Sequence, residues 1–275
     1  MGNPYFHFKK FSIWQEKSAM KVCTDSCIFG AYVSQHLESQ FFDEICPGIL
    51  DVGSGTGLLS LMLAQKIAGS KIEAIEPDLE SFMECKLNFE NSSWTEHLQV
   101  FNHNLSEFSE FNQNQYEIII CNPPFFLNHL VSPSQSRNRA LHISKSDWEK
   151  WLIDLKKLLK SGGQIWILLP KENLESSLEI AKKLGLHVST RIDLHQNSKH
   201  NWRHILCFSE NEALVNTQIE TQIYDQNREL VSLLKIWLSD FYLKFQLIFL
   251  LQKVQHIYVD LEFSYSISHP CSFLV

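Results

Sequence analysis

The sequence predicts an α/β fold with a seven-stranded, mostly parallel sheet covered by helices on both faces. From Gly48 onward, short apolar runs alternate with helical patterns, which is typical of a parallel sheet. Two of these runs, 49–52 and 116–121, lead into distinctive turns: a glycine-rich one after the first and Asn-Pro-Pro-Phe after the second. Ligands bind at the carboxyl ends of the strands in such sheets. Both turns are therefore expected at one ligand-binding crevice.

The elements are expected in a regular order along the chain. Alternating aromatic and polar residues over 5–22 predict a short strand or hairpin ahead of the main sheet. Thr24-Asp25 is expected to cap a helix that runs through Val33. The seven strands are expected at 49–52, 72–75, 98–101, 116–121, 164–169, 187–193 and 203–209. The helices between them include 58–66, 79–90, 173–184 and 146–160, the last capped by Ser146-Asp147 and ended by Gly162-Gly163.

These elements predict one domain over residues 1–245. It would consist of an N-terminal extension (5–47), a core (48–210) and a C-terminal part (211–245) with a β-segment at 218–224 and a helix ending near Phe245. Residues 246–275 differ from the rest and are expected to form an atypical tail, to which no role is assigned. The apolar stretch at its start is too short to span a bilayer.

Charge and cysteine usage narrow the classes of partner. The net charge of -7 argues mildly against a nucleic acid, because phosphate contacts usually come from a basic surface. A local basic patch would offset this; its candidates are Lys9, Lys10, Lys17, Lys21, Arg137, Arg139, Lys199, His200, Arg203 and His204.

No Cys-x-x-Cys pair occurs among the 7 cysteines, so neither zinc nor a disulfide framework is indicated. Without an export signal at its start, the chain is expected in the cytoplasm, with no membrane or metal partner.

The glycine-rich turn has the pattern Asp-x-Gly-x-Gly-x-Gly, from Asp51 through Gly53, Gly55 and Gly57. Glycines allow the backbone to approach a ligand closely. The third small residue of a dinucleotide fingerprint would be Leu58, and no P-loop lysine follows. A carboxylate facing the turn suits a positively charged ligand, such as the amino-acid part and sulfonium of S-adenosylmethionine. Glu76, at the tip of the second core strand, lies where a ribose diol would be bound.

The second turn carries groups suited to a planar amine. Asn122 offers a side-chain acceptor, while Pro123 and Pro124 stiffen the turn so that their carbonyls point in a set direction. Phe125 supplies a flat face for stacking. Together, the two turns indicate a methyl-donor site beside a site for an amino group on a flat, conjugated system.

Four segments near the start resemble the opening of the bacterial tRNA1(Val) (adenine-N6)-methyltransferases: Phe8-Lys9-Lys10-Phe11, Ala19-Met20-Lys21-Val22, Thr24-Asp25 and Gly30-Ala31. The likeness continues through both turns to about residue 245. The chain also departs from that family. Cys23 and Ser26 stand where glycines are usual, and Phe125 replaces a tyrosine. Asn104 stands where related enzymes often carry an acid for the adenine amino group of the cofactor.

The resemblance implies a class I methyltransferase (Rossmann-like) fold and methylation of the exocyclic N6 of an adenine in the anticodon loop of a tRNA. Asn122 and the Pro123 carbonyl would accept the two N–H bonds of the amine, Pro124 would stiffen the turn and Phe125 would stack on the base. S-adenosylmethionine would be held by Asp51, Gly53, Gly55, Gly57, Glu76 and Asn104, with Lys21, Thr24 and Asp25 closing over it. We expect a monomer.

Three other functions stay open at this point. A ribosomal RNA guanine-N2 methyltransferase would use the same Asn-Pro-Pro-Phe chemistry. A protein glutamine N5-methyltransferase presents a similar amide nitrogen, but it more typically carries a larger helical domain ahead of the core than residues 1–47 provide. A non-catalytic RNA-binding scaffold would be indicated by an inability to bind S-adenosylmethionine.

Overall fold

The computed structural model describes residues 4–18, 20–41, 46–123, 145–197, 200–212 and 217–243, without the side chains of Lys145, Asn197 and residues 200–202. The chain begins with an antiparallel hairpin of β1 (Tyr5–His7) and β2 (Ser12–Trp14), which confirms the predicted hairpin. Helix α1 (Thr24–Gln40) follows, with Cys23 as its N-cap residue. The expected cap by Thr24-Asp25 is wrong. Both residues lie inside the first turn, and the Asp25 carboxylate pairs with Arg203 instead.

The main sheet contains eight strands in the order β10-β8-β9-β7-β6-β3-β4-β5. Their bounds are β3 Gly48–Val52, β4 Lys71–Ile75, β5 Leu98–Phe101, β6 Tyr116–Cys121, β7 Leu159–Pro170, β8 His187–Asn197, β9 His200–Ser209 and β10 Thr217–Gln222. Strand β9 is antiparallel to β7 and β8, and the other neighbouring pairs are parallel. All seven predicted strands form. The eighth, β10, is the predicted β-segment, which extends the sheet by pairing with β8.

Helices cover both faces of the sheet, as predicted. The remaining ones are α2 (Leu58–Lys66), α3 (Leu79–Glu90), α4 (Leu105–Phe111), α5 (Lys145–Leu158), α6 (Leu174–Lys183) and α7 (Ser232–Leu238). Along β6, Ile118 and Ile120 join the core beneath α1, α2 and α7, whereas Ile119 and Cys121 join the core beneath α4, α5 and α6. This alternation follows from the two-residue period of a strand.

Two element ends differ from the predictions. Helix α5 ends at Leu158, and Gly162-Gly163 lie inside β7 instead of closing the helix. A Cβ on Gly163 would lie 2.9 Å from the carbonyl oxygen of Glu117 in β6, so glycine allows this close approach between strands. Helix α7 ends at Leu238, short of Phe245, which lies outside the described residues together with the tail 246–275.

The N-terminal hairpin contacts the far end of the described chain. The Lys9 N–H donates to the Phe241 carbonyl at 2.8 Å, and the Lys9 ammonium donates to the Ser239 carbonyl. Phe8 and Phe6 pack against Tyr242, with ring centroids 6.0 and 6.1 Å away. Nowhere in the described ranges is a helix both long and apolar enough to cross a bilayer.

Candidate active site

The carboxyl ends of four strands meet at one edge of the sheet. Val52 at the end of β3 lies opposite Ile75 of β4 and Cys121 of β6, and Ile75 lies opposite Phe101 of β5. The turns that follow these strands are therefore brought together, as predicted. They contain Gly53, Glu76, Asn104 and Asn122.

The glycine-rich turn links β3 to α2 in a left-handed conformation. The φ angles are 72° at Gly53, 56° at Gly55 and 82° at Gly57, which favours glycine at all three positions. A Cβ on Gly53 or Gly55 would meet no described atom within 4 Å, so these two leave open space for a ligand. A Cβ on Gly57 would lie 2.6 Å from Cε1 of Phe89, so Gly57 is required for packing against α3. Its predicted contact with a cofactor stays a prediction.

Asp51 is fully buried at the end of β3. Its Oδ2 accepts hydrogen bonds from the Ser60 hydroxyl at 2.7 Å and the Ser60 N–H at 3.2 Å. Its Oδ1 is buried and has no hydrogen-bond partner in the part of the chain that the structure describes. Burial raises the pKa of Asp51 to about 7. A buried acceptor without a partner is a group that a donor on a ligand would satisfy.

Glu76 connects the ends of two strands. Its Oε2 accepts from the Gly55 N–H at 2.8 Å, and its Oε1 accepts from the Asp78 N–H at 2.9 Å. Burial raises the pKa of Glu76, and the two N–H donors oppose that shift. The carboxylate therefore supports the glycine-rich turn directly, a role that the sequence did not indicate. Its predicted bond to a ribose stays a prediction.

Two cavities open beside this turn. The first has a volume of about 310 Å³, and we call it the larger cavity of the two. Apolar groups of several elements line it, among them Val52, Ile75, Pro77, Leu105, Pro123 and Trp151. Asn104 also lines it, but its Oδ1 caps α4 by accepting from the Glu107 N–H at 3.0 Å. The amide oxygen predicted to bind adenine is thus already engaged once, with one lone pair left for a ligand.

Asn122 follows β6 and borders a second, smaller cavity, which it shares with Met20, Lys21, Ser26, Gly53 and Gly55. Its Nδ2 donates to the Ser26 hydroxyl at 2.8 Å and lies 3.9 Å from the Met20 sulfur. Within the described residues, every hydrogen bond of this carboxamide falls on its nitrogen, so its oxygen is the atom that can accept from an amine. Gly53 lines both cavities, which places them side by side.

The other predicted site residues divide into three groups. Lys21 is exposed and lines the smaller cavity. Asp25 is buried and accepts from the Arg203 guanidinium at 3.0 Å, and Thr24 begins α1 beside it. Pro124 and Phe125 lie outside the described residues, as do Arg137, Arg139 and Lys199 of the basic patch.

Several members of the predicted basic patch have intramolecular partners. Lys9 is bound to Ser239, Lys17 lies 3.7 Å from Glu80, and Arg203 pairs with Asp25. His204 is fully buried against Asp193 at 2.6 Å, so it cannot contact RNA. Lys10 and Lys21 are exposed, and the His200 side chain lies outside the description.

Three partners of the site were missed from the sequence: Ser60, Arg203 and Ser26. Arg203 and Ser26 lie 178 and 96 residues from their partners, Asp25 and Asn122, so no local spacing could have paired them. The one available signal was at Ser26, where a polar residue replaces a glycine of the similar family.

Three kinds of similarity connect the chain to known proteins: to a family model, to two relatives and to a solved structure. Residues 20–191 match the family model of the methyltransferase small domain. The tRNA1(Val) (adenine(37)-N6)-methyltransferase of Dyadobacter fermentans is 35% identical over 247 residues, covering 88% of this chain and 99% of that protein. The protein of the same name from Parabacteroides distasonis is 39% identical over 189 residues, covering 69% and 76%.

The third similarity is to a solved structure. A protein from Listeria monocytogenes, assigned to the class I S-adenosylmethionine-dependent methyltransferases, superposes with a TM-score of 0.52 at 13% identity. The superposition covers 74% of this chain and 67% of that one. This likeness shows the fold, and the predicted class I methyltransferase architecture is confirmed.

Proposed function

Because this chain belongs to the tRNA1(Val) (adenine(37)-N6)-methyltransferase family, we propose that it transfers a methyl group from S-adenosylmethionine to N6 of an adenine in a tRNA. The observation that carries the proposal is the shared cavity of Asn122 and the glycine-rich turn. In this cavity Asn122 lies beside a backbone that is open to a ligand, which supports its proposed role as the acceptor for an amine. The names of the relatives do not favour guanine-N2 or glutamine as the substrate.

The described residues fit the cofactor. The unsatisfied Oδ1 of Asp51 suits its ammonium group, and the space beside Gly53 and Gly55 admits it against the backbone. Glu76 would hold the ribose, and the apolar walls of the larger cavity, with Asn104 at its edge, would take the adenine. When bound, S-adenosylmethionine supplies a methyl group activated by the sulfonium.

The protein's part in the transfer is alignment and electrostatics. The exocyclic nitrogen of adenine is a weak nucleophile because its lone pair is delocalised into the ring. Asn122 Oδ1 and the Pro123 carbonyl would accept its two N–H bonds and so favour the geometry that frees the lone pair. These hydrogen bonds strengthen as positive charge develops on the nitrogen, which stabilises the transition state more than the ground state.

The remaining roles concern the RNA. A stacked base cannot reach a recessed site, so the adenine would be turned out of the anticodon loop. Phe125 would stack on it, which is worth about 1–3 kcal/mol in such contacts. The exposed Lys10 and Lys21 would contact phosphates. We propose that the protein acts in the cytoplasm, where its tRNA substrate is found. We also propose that it acts as a monomer.

Transfer of labelled methyl from S-adenosylmethionine to tRNA that lacks the modification tests this function. The nucleosides of the product are then separated. N6-methyladenosine is the expected product. The proposal would be overturned by any of three results: N2-methylguanosine as the product, methylation of protein, or no transfer to either RNA or protein.

A further inference from the structure

We propose that Ser26 is a positioning residue, whose hydroxyl orients the Asn122 carboxamide with its oxygen toward the substrate amine. The inference rests on the proposed function. A carboxamide has two ends of similar shape and opposite hydrogen-bonding character, because its oxygen accepts and its nitrogen donates. Turned end for end, Asn122 would present N–H groups to the N–H groups of the amine. Catalysis therefore depends on what selects one orientation.

Two neighbours select the nitrogen for the side facing α1. The Ser26 hydroxyl lies 2.8 Å from Asn122 Nδ2 and can accept from it. The Met20 sulfur lies 3.9 Å from the same atom, and a thioether has no hydrogen to donate. A hydroxyl alone would permit either orientation, since it can donate or accept. The second neighbour accepts only, so together they favour the donor end of the amide on this side.

The hydroxyl is itself held on a rigid element. Ser26 is 6% exposed and lies in the first turn of α1. Its Oγ is 3.0 Å from the Cys23 sulfur, and Cys23 is the N-cap residue of that helix. The neighbouring Asp25 is tied to Arg203 of β9 at 3.0 Å. The start of α1 is thus fixed to the sheet that carries Asn122, which limits the freedom of the pair.

A double-mutant cycle distinguishes positioning from general support of the fold. Ser26→Ala is expected to lower kcat for methyl transfer to tRNA about tenfold, the scale of one hydrogen bond, and to leave the Kd for S-adenosylmethionine within about twofold. In an Asn122→Ala background, the same change is expected to alter kcat by less than about twofold, because no carboxamide is left to orient. An equal loss in both backgrounds would overturn the inference.

Two further variants complete the test. Ser34→Ala removes another buried hydroxyl of α1, one that donates to the Ala31 carbonyl of its own helix at 3.1 Å, and should leave kcat unchanged. Ser26→Thr keeps the hydroxyl and should retain kcat within about twofold of the original chain. A Ser26→Ala variant as active as Ser34→Ala, or a Thr variant as slow as the Ala variant, would contradict the positioning role while leaving the proposed function intact. An unaltered chain that transfers no methyl to tRNA would instead overturn both.

Discussion

The N–H of Gly55 donates to the carboxylate of Glu76 at 2.8 Å, so the acid at the tip of β4 holds the glycine-rich turn that follows β3. The two halves of the expected cofactor site are therefore mechanically connected. A substitution at Glu76 would act on the ribose contact and on the shape of the turn together. The acid is thus more than a ligand for the ribose.

Glu76→Ala is expected to weaken S-adenosylmethionine binding by about 10- to 100-fold, the scale of a lost charged hydrogen bond. Glu76→Gln keeps an acceptor for Gly55 and should lie between the alanine variant and the original chain. Calorimetric titration measures both. Glu80→Ala is the control, because its carboxylate is exposed and lies 3.7 Å from the exposed Lys17 ammonium. An unchanged affinity in Glu76→Ala would remove the acid from the cofactor site.

Asn122→Ala is expected to reduce kcat about 10²- to 10³-fold, the loss seen when one donor or acceptor of a transition state is removed. The Kd for S-adenosylmethionine should stay within about twofold, because the acceptor acts on the amine. Single-turnover transfer and calorimetry separate the two quantities. Asn91→Ala, at the end of α3, is a matched control that should change neither. Loss of cofactor binding in Asn122→Ala would contradict the assigned role.

Asp51→Asn is expected to stabilise the protein while weakening its cofactor binding. The pKa of Asp51 is raised to about 7 in the folded state, against about 3.9 in an unfolded chain. The stability due to this proton is therefore fully present below about pH 4 and lost as the pH rises to about 7. Asparagine avoids that loss, so its Tm should exceed that of the original chain by roughly 8–16 °C at pH 8.

The Tm difference between Asp51→Asn and the original chain should shrink between pH 8 and pH 5, where the buried carboxyl of the folded state is neutral. This internal comparison needs no second variant. The stability of the original chain falls as the pH rises, but its affinity for S-adenosylmethionine should rise: it should bind the cofactor more weakly at pH 6 than at pH 8. Asp51→Asn should bind the cofactor weakly at both pH values. A pH-independent affinity in the original chain would argue against a contact between this carboxylate and the ammonium group.

A chain truncated after Phe245 is expected to keep its Tm and its activity. A chain truncated after Leu238 should not, because it also loses Phe241, which is fully buried, and the carbonyls of Ser239 and Phe241 to which Lys9 donates. Removal of a buried phenylalanine costs about 3–5 kcal/mol. Thermal unfolding of both chains measures the contrast. An insoluble or inactive 1–245 chain would show that the tail contributes to the domain.

The sequence was most informative where structure depends on local patterns. The apolar runs predicted all seven strands, and the positions of the glycine-rich turn and of Asn122 at one sheet edge followed from them. The prediction that Gly162-Gly163 end a helix was wrong. These glycines lie inside β7, where Gly163 allows a close approach to the neighbouring strand. Prediction also failed for Asp25, which lies inside the first turn of α1 and pairs with Arg203, 178 residues away along the chain.

The contact between Lys9 and Phe241 also determines when the N-terminal hairpin can finish docking during synthesis of the chain. The two residues are separated by nearly the whole described chain, and at about 5–20 residues per second the ribosome needs tens of seconds to make that interval. Before Phe241 emerges, the hairpin can dock on α3, where the Trp14 N–H donates to Asn88 at 2.8 Å, but its contacts with the Ser239 and Phe241 carbonyls are still missing. The docking of the hairpin in a nascent chain would therefore be completed only after β10 and α7 have been made.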